Sequence, residues 1–128
     1  MPDQATEEQF VDVSIGDPRF SAAVLERLVS AAAARAELPI DRVVNAMTVV
    51  DAIVHATDSV LGENPREIRL TIGDGSLGLR VDSLVDGQAE AIRDAAQLPD
   101  VGDVLERTAS SVEIEHDGPS SALVIVLN

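Results

Sequence analysis

The sequence predicts an α+β domain: a two-layer sandwich, with a mixed β-sheet and helices on one of its faces. Three observations point there. Between residues 18 and 61, apolar residues recur at helical spacing with one interruption, at Leu38-Pro39. Segments on either side alternate apolar and polar residues. A Gly-Asp-Gly-Ser turn at 73–76 joins two of those alternating segments. No repeat or linker breaks the pattern, so residues 1–128 are read as one domain with an ordered core over about 8–127.

The elements follow in order. Residues 9–15 alternate loosely through Phe10, Val11, Val13 and Ile15 and read as a first strand. Gly16-Asp17-Pro18 ends it, and Asp17 before Pro18 is a helix start, a capping side chain followed by proline in the first turn. Phe20, Val24, Leu25, Leu28, Val29 and Ala32 give the apolar face of that helix, which runs to about Glu37. Asp41 is placed as the cap of a second helix, to about Leu61. Val43, Val44, Met47, Val50, Val54 and Thr57 or Ala56 are its expected buried stripe, and Gly62 and Pro65 its stop. Residues 67–72 and 77–81 form a hairpin. A polar stretch, 82–99, contains a short Ala-rich segment, and 100–108 reads as one more short helix. Residues 111–115 and 122–127 are two last strands.

Composition narrows the chemistry. The only aromatics are Phe10 and Phe20, so the core must be Ala, Val, Leu and Ile. There is no cysteine, which excludes disulfides and thiolate chemistry. There is no lysine either, which excludes a P-loop and a Schiff-base nucleophile. No apolar run reaches membrane-spanning length and the first ten residues are acidic, so the expected location is cytoplasmic. The formal net charge of −14 disfavours nucleic acid and anionic lipid and favours a partner presenting Arg and Lys. The same acidity also serves solubility. Two histidines with no close ligand spacing give no zinc site, and Gly73-Asp74-Gly75 is too short for a calcium loop.

Two segments carry the functional reading. One is the helical Val49-Val-Asp51-Ala-Ile-Val-His55-Ala56. The other is the strand Leu77-Gly-Leu-Arg-Val-Asp82, followed by Ser-Leu84-Val-Asp86-Gly87. With the ending Ser111-Val-Glu-Ile-Glu-His-Asp-Gly-Pro-Ser-Ser-Ala-Leu-Val-Ile-Val, this ordered set resembles the histidine-kinase-like ATPase (Bergerat-type) fold. More narrowly it resembles the small bacterial anti-sigma-factor serine kinases, over nearly the whole chain. The family's helix reads Glu-Ala-x-x-Asn-Ala where this chain has Asp51-Ala-Ile-Val-His55-Ala56. Its hairpin leads to Asp-x-Gly-x-Gly where this chain has Asp82, Leu84 and Asp86, with Gly87 one place late.

The resemblance implies roles that the residues fill unevenly. Asp51 takes the place of the carboxylate base, one methylene shorter than Glu. His55 replaces the Asn that holds Mg²⁺, and imidazole is a poor ligand for that hard ion. Asp82 holds the position of the carboxylate that accepts the adenine amino group. Leu84 and Asp86 stand where glycines let the backbone pass under the nucleotide, with Gly87 displaced. The second Gly-rich loop is reduced to Pro99-Asp100-Val101-Gly102-Asp103, whose carboxylates oppose phosphate. Asp51 and His55 equally suit a solvent-facing i,i+4 pair, and Asp82 equally suits the start of a turn.

Two functions compete. The first is an anti-sigma-factor-like regulator that binds a sigma factor or its antagonist, with weak or no kinase activity, needing neither cofactor nor metal. The second is an active serine kinase acting on an anti-anti-sigma antagonist, with ATP and Mg²⁺ in the pocket. The resemblance also implies a homodimer paired through the first-helix region, where the 20–29 face would serve either as interface or as core.

Overall fold

A computed structural model describes residues 9–98, 102–103 and 108–128. The chain enters as strand β1 (Gln9–Ile15) and makes a 3₁₀ turn over Pro18–Phe20. Helices α1 (Ser21–Arg35) and α2 (Ile40–Leu61) follow, then the hairpin β2 (Arg66–Gly73) and β3 (Ser76–Leu84). Helix α3 (Gln88–Ala95) and a two-residue pair, β4 (Gln97–Leu98) and β5 (Gly102–Asp103), lead to the hairpin β6 (Ser111–Asp117) and β7 (Ser120–Leu127). The main sheet has the order β1-β2-β3-β7-β6. Among the described residues the architecture is α+β, a five-stranded sheet with three helices.

Every neighbouring pair in that sheet is antiparallel, which corrects the expected mixed sheet. The reason lies in the connection from β1 to β2. A single helix would return the chain to start a parallel strand. Here α1 and α2 lie between the strands, and the second helix carries the chain back to the end that β1 has just left. The tight link between them is held where the Leu38 amide donates to the Ala33 carbonyl at 3.1 Å. The hairpin tip is fastened beneath it, the Gly75 amide donating to the Ala36 carbonyl at 2.8 Å.

The core lies between the helices and one face of the sheet. Strand residues Ile68, Leu70, Leu79, Val81, Leu123 and Ile125 alternate onto that face and meet Leu25, Val29, Val49 and Ile53 of the helices. Both phenylalanines stay outside it, each 57% exposed. For Phe20 this corrects the expected helical face, because it closes the 3₁₀ turn before α1 begins. On α2 the buried stripe is rotated from the expected one. It runs through Ala46, Val49, Val50, Ile53, Ala56 and Thr57, and Val44 is 58% exposed. Alanines let α2 sit close against both α1 and α3, so its small residues face inward and a β-branched residue is left outside.

Two helix starts also differ in detail. Asp17 does cap, but it caps the 3₁₀ turn, its carboxylate accepting from the Arg19 amide at 2.9 Å. Pro39, not Asp41, is the cap residue of α2, and Asp41 lies in the first turn. Of the expected 100–108 helix, Gly102 and Asp103 are instead in β5, Thr108 is helical, and residues 100–101 and 104–107 lie outside the described residues.

Candidate functional site

Asp51 and His55 stand one turn apart on α2 and both are exposed. Their neighbours Ala52, Ile53 and Ala56 are wholly buried, so the pair marks the helix's solvent side. The helical spacing thus brings these two together, as expected of residues four apart.

Asp82 lies elsewhere. In β3 the buried phase is Leu77, Leu79 and Val81, and the opposite phase is Gly78, Arg80 and Asp82. The helices cover the buried phase, so Asp82 points to the uncovered face of the sheet. Its carboxylate is 3.4 Å from Arg80 Nε and accepts from the Ser83 amide at 3.0 Å. The full thickness of the sheet therefore separates Asp82 from Asp51 and His55. The pairing of β3 with β7 is irregular between Val81 and Leu84, and Ser83 there takes a left-handed conformation, φ +55°. That bulge turns Leu84 back into the core.

Gly87 is the cap residue of α3 with φ +77°, a left-handed position that suits glycine. The turn before it is closed by the Gln88 side chain, whose Oε1 accepts from the Val85 amide at 2.9 Å. Gly87 and Asp86 border a hollow of about 140 Å³ with Glu90, His116, Gly118 and Pro119. His116 Nε2 stands 3.9 Å from Glu90 Oε2 across it. Carboxylates at its rim oppose an anion there. Gly102 pairs with Leu98 in the short β4–β5 ladder. Among the described residues, no group of three or more His, Cys, Asp or Glu side chains could hold a metal ion.

The strongest polar array is one that sequence reasoning missed. On the open sheet face Arg69 and Arg80 are direct cross-strand partners. Like charges opposite one another destabilise a sheet unless they are compensated. Compensation comes from the two edge strands, β1 beside β2 and β6 reached across β7. Asp12 on β1 takes Arg69 with both oxygens, at 2.7 and 2.9 Å, and Glu115 on β6 takes Arg80 at 2.7 Å. The Arg69 hydrogen bond holds the Asp12 carboxyl below the usual carboxylate range. The Glu115 hydrogen bond, with Asp82 adding to it, raises the Arg80 guanidinium. Arg69 also lies over the Phe10 ring, 4.2 Å from its centroid. Between the two arginines and over Gly78 is a hollow of about 450 Å³. The available signal was the alternation itself, which puts both arginines in the polar phase of their strands.

No protein-family model matches this chain, and no curated protein matches it. No helix among the described residues is long and apolar enough to cross a membrane.

Proposed function

We propose that this chain is a protein-binding regulator built on a histidine-kinase-like ATPase fold. It binds a sigma factor or the antagonist of one, in the cytoplasm, as the resemblance to the anti-sigma-factor kinases implies. Phosphotransfer from ATP is not part of its action. The observation that carries this reading is the placement of Asp82. The adenine contact and the base would have to face one cavity, yet Asp82 lies across the sheet from Asp51 and His55. A transferring phosphoryl group needs its base, metal and nucleotide aligned within ångströms. The acidic surface supports the choice of partner, since 23 carboxylates against nine arginines attract a basic surface and raise its rate of encounter.

Thermal unfolding with and without millimolar Mg-ATP tests this. A ligand present at about 100 times its dissociation constant adds about 2.7 kcal/mol to stability. The expected result is no shift. A clear rise in Tm that Asp82→Asn abolishes would establish nucleotide binding and return the kinase reading.

A further inference from the structure

We infer that the open face of the sheet docks a basic protein segment, which seats one aromatic side chain in the hollow over Gly78 and lays its cations against the carboxylates around it. This rests on the reading of the chain as a protein-binding regulator, and adds the surface and the chemistry of binding. Gly78 carries the argument. It stands in the middle of β3, where glycine weakens a strand. Its backbone is not left-handed, so conformation does not demand glycine. Packing does not demand it either. A Cβ there would meet the Thr71 Cβ at 3.5 Å and the Thr71 and Ile125 carbonyl oxygens at 3.9 Å, all ordinary contacts. A mid-strand glycine with neither cause marks a place where another molecule comes close to the backbone. The space it leaves is the hollow of about 450 Å³, lined by Arg69, Arg80, Thr71 and Val124. Val126, the β7 partner of Gly78, is only half-buried beside it. Guanidinium groups stack on rings, and Arg69 on this face already holds the Phe10 ring at 4.2 Å.

Charge selects the occupant. The register puts Asp12, Glu67, Asp82, Glu113 and Glu115 on the same face as Arg69 and Arg80. The arginines are already engaged, Arg69 by Asp12 and Arg80 by Glu115 and Asp82. Carboxylates therefore remain in excess there. Glu67 and Asp82 are direct cross-strand partners, and like charges so placed are destabilising until a cation joins them. Glu67 has a hydroxyl, from Ser14 at 2.6 Å, and Asp82 shares its arginine with Glu115. Lys or Arg side chains from outside supply the missing charge. A second copy of this chain would bring a net −14 and the same carboxylates, and a nucleic acid would bring phosphates, so both are disfavoured.

The probe is a short acetylated peptide of alternating Lys and Ser with one central Phe, titrated by calorimetry into the full chain. Saturable binding is expected, with a dissociation constant below about 1 mM that rises with salt. Replacing the central Phe by Ala should weaken it about tenfold, and replacing every Lys by Glu should abolish it. Gly78→Val leaves the net charge unchanged and fills the hollow with a good strand former. It should weaken the peptide about tenfold or more with no loss in Tm. Gly78→Ala, an addition of one methyl, should fall between and serves if the valine variant does not fold. Glu113→Gln should weaken binding a few-fold, and Glu26→Gln, the same charge removed from α1, should not. Failure to saturate overturns the inference. So does binding that both Gly78 variants leave intact, or that Glu26→Gln weakens as much as Glu113→Gln does. Self-association in sedimentation that Gly78→Val abolishes would give the face to a second copy and overturn it too. None of these failures touches the regulator reading, which the Mg-ATP melt tests separately.

Discussion

Arg66 is the one charged side chain that is almost wholly inside the described molecule, at 1% exposure. Its guanidinium donates to the Asp58 carboxylate at 2.9 Å and to the carbonyls of Thr57 and Asn64, and so ties the first residue of β2 to the last turns of α2. A cation suits that end of a helix, where unpaired carbonyls gather. Its Nε has no hydrogen-bond partner, so the burial is imperfect. Arg66→Ala should cost about 2 kcal/mol in a urea melt, through lost packing and carbonyls left without their donor, since Asp58 itself is exposed to water. Arg66→Met should cost less, because it fills the space and removes the unpaired nitrogen. Acid sensitivity belongs to other residues. The Asp12 and Asp17 carboxyls are both held low in the folded chain, chiefly by hydrogen bonds from Arg69 and Arg19. A carboxyl with a lowered folded value adds stability above its unfolded value near pH 4, and that stability is lost as pH falls through the lower folded value. Asp12→Asn should therefore be slightly less stable than the parent above about pH 4, with the two proteins converging as pH falls below it. Thermal melts of the two proteins across that range check it.

At the scale of elements, α1 ends on a non-glycine residue in a left-handed conformation, Glu37, with φ +58°. Glycine is the usual residue there. Glu37→Gly should raise stability by about 0.5 kcal/mol, the relief of the left-handed strain exceeding the added chain entropy of glycine. A denaturant midpoint measures it. Most elements were legible in the sequence for identifiable reasons. The β2–β3 hairpin is written in Gly73-Asp74-Gly75-Ser76 and in strict alternation, and the break between α1 and α2 in Pro39. The rotation of α2 was not legible, because a stripe of valines and a stripe of alanines share that helix. Only the close approach of α1 and α3 selects the alanines. The place of Asp82 was half legible. Counting in twos from Leu77 puts it in the polar phase of β3, but the bulge at Ser83 is set by the pairing of β3 with β7, a long-range contact with no local signal. Arg66 followed Pro65 in what read as a turn, and nothing local marked it as buried.

The whole molecule carries its charge as a global strain on the folded state. A net −14 with pI about 4.2 means that compaction brings like charges together. Added salt should therefore raise Tm by a few degrees between about 0.05 and 0.5 M, as the screening length shortens from more than 10 Å to a few ångströms. A protein stabilised mainly by exposed ion pairs would move the other way in the same scan. The two-layer arrangement leaves the second sheet face open, and the arginines there are cancelled strand by strand. One further property follows from where the two phenylalanines sit. With no tryptophan or tyrosine, the chain is nearly dark at 280 nm and in fluorescence. Its only phenyl rings lie outside the core, Phe10 on β1 and Phe20 before α1, and both histidines are exposed as well. Aromatic proton resonances and near-ultraviolet dichroism would thus be blind to packing and would report on the surface. The Phe10 ring, held beneath Arg69, serves as a built-in label for whatever meets that edge, and the fluorescence of any tryptophan-bearing partner could be followed against an empty background.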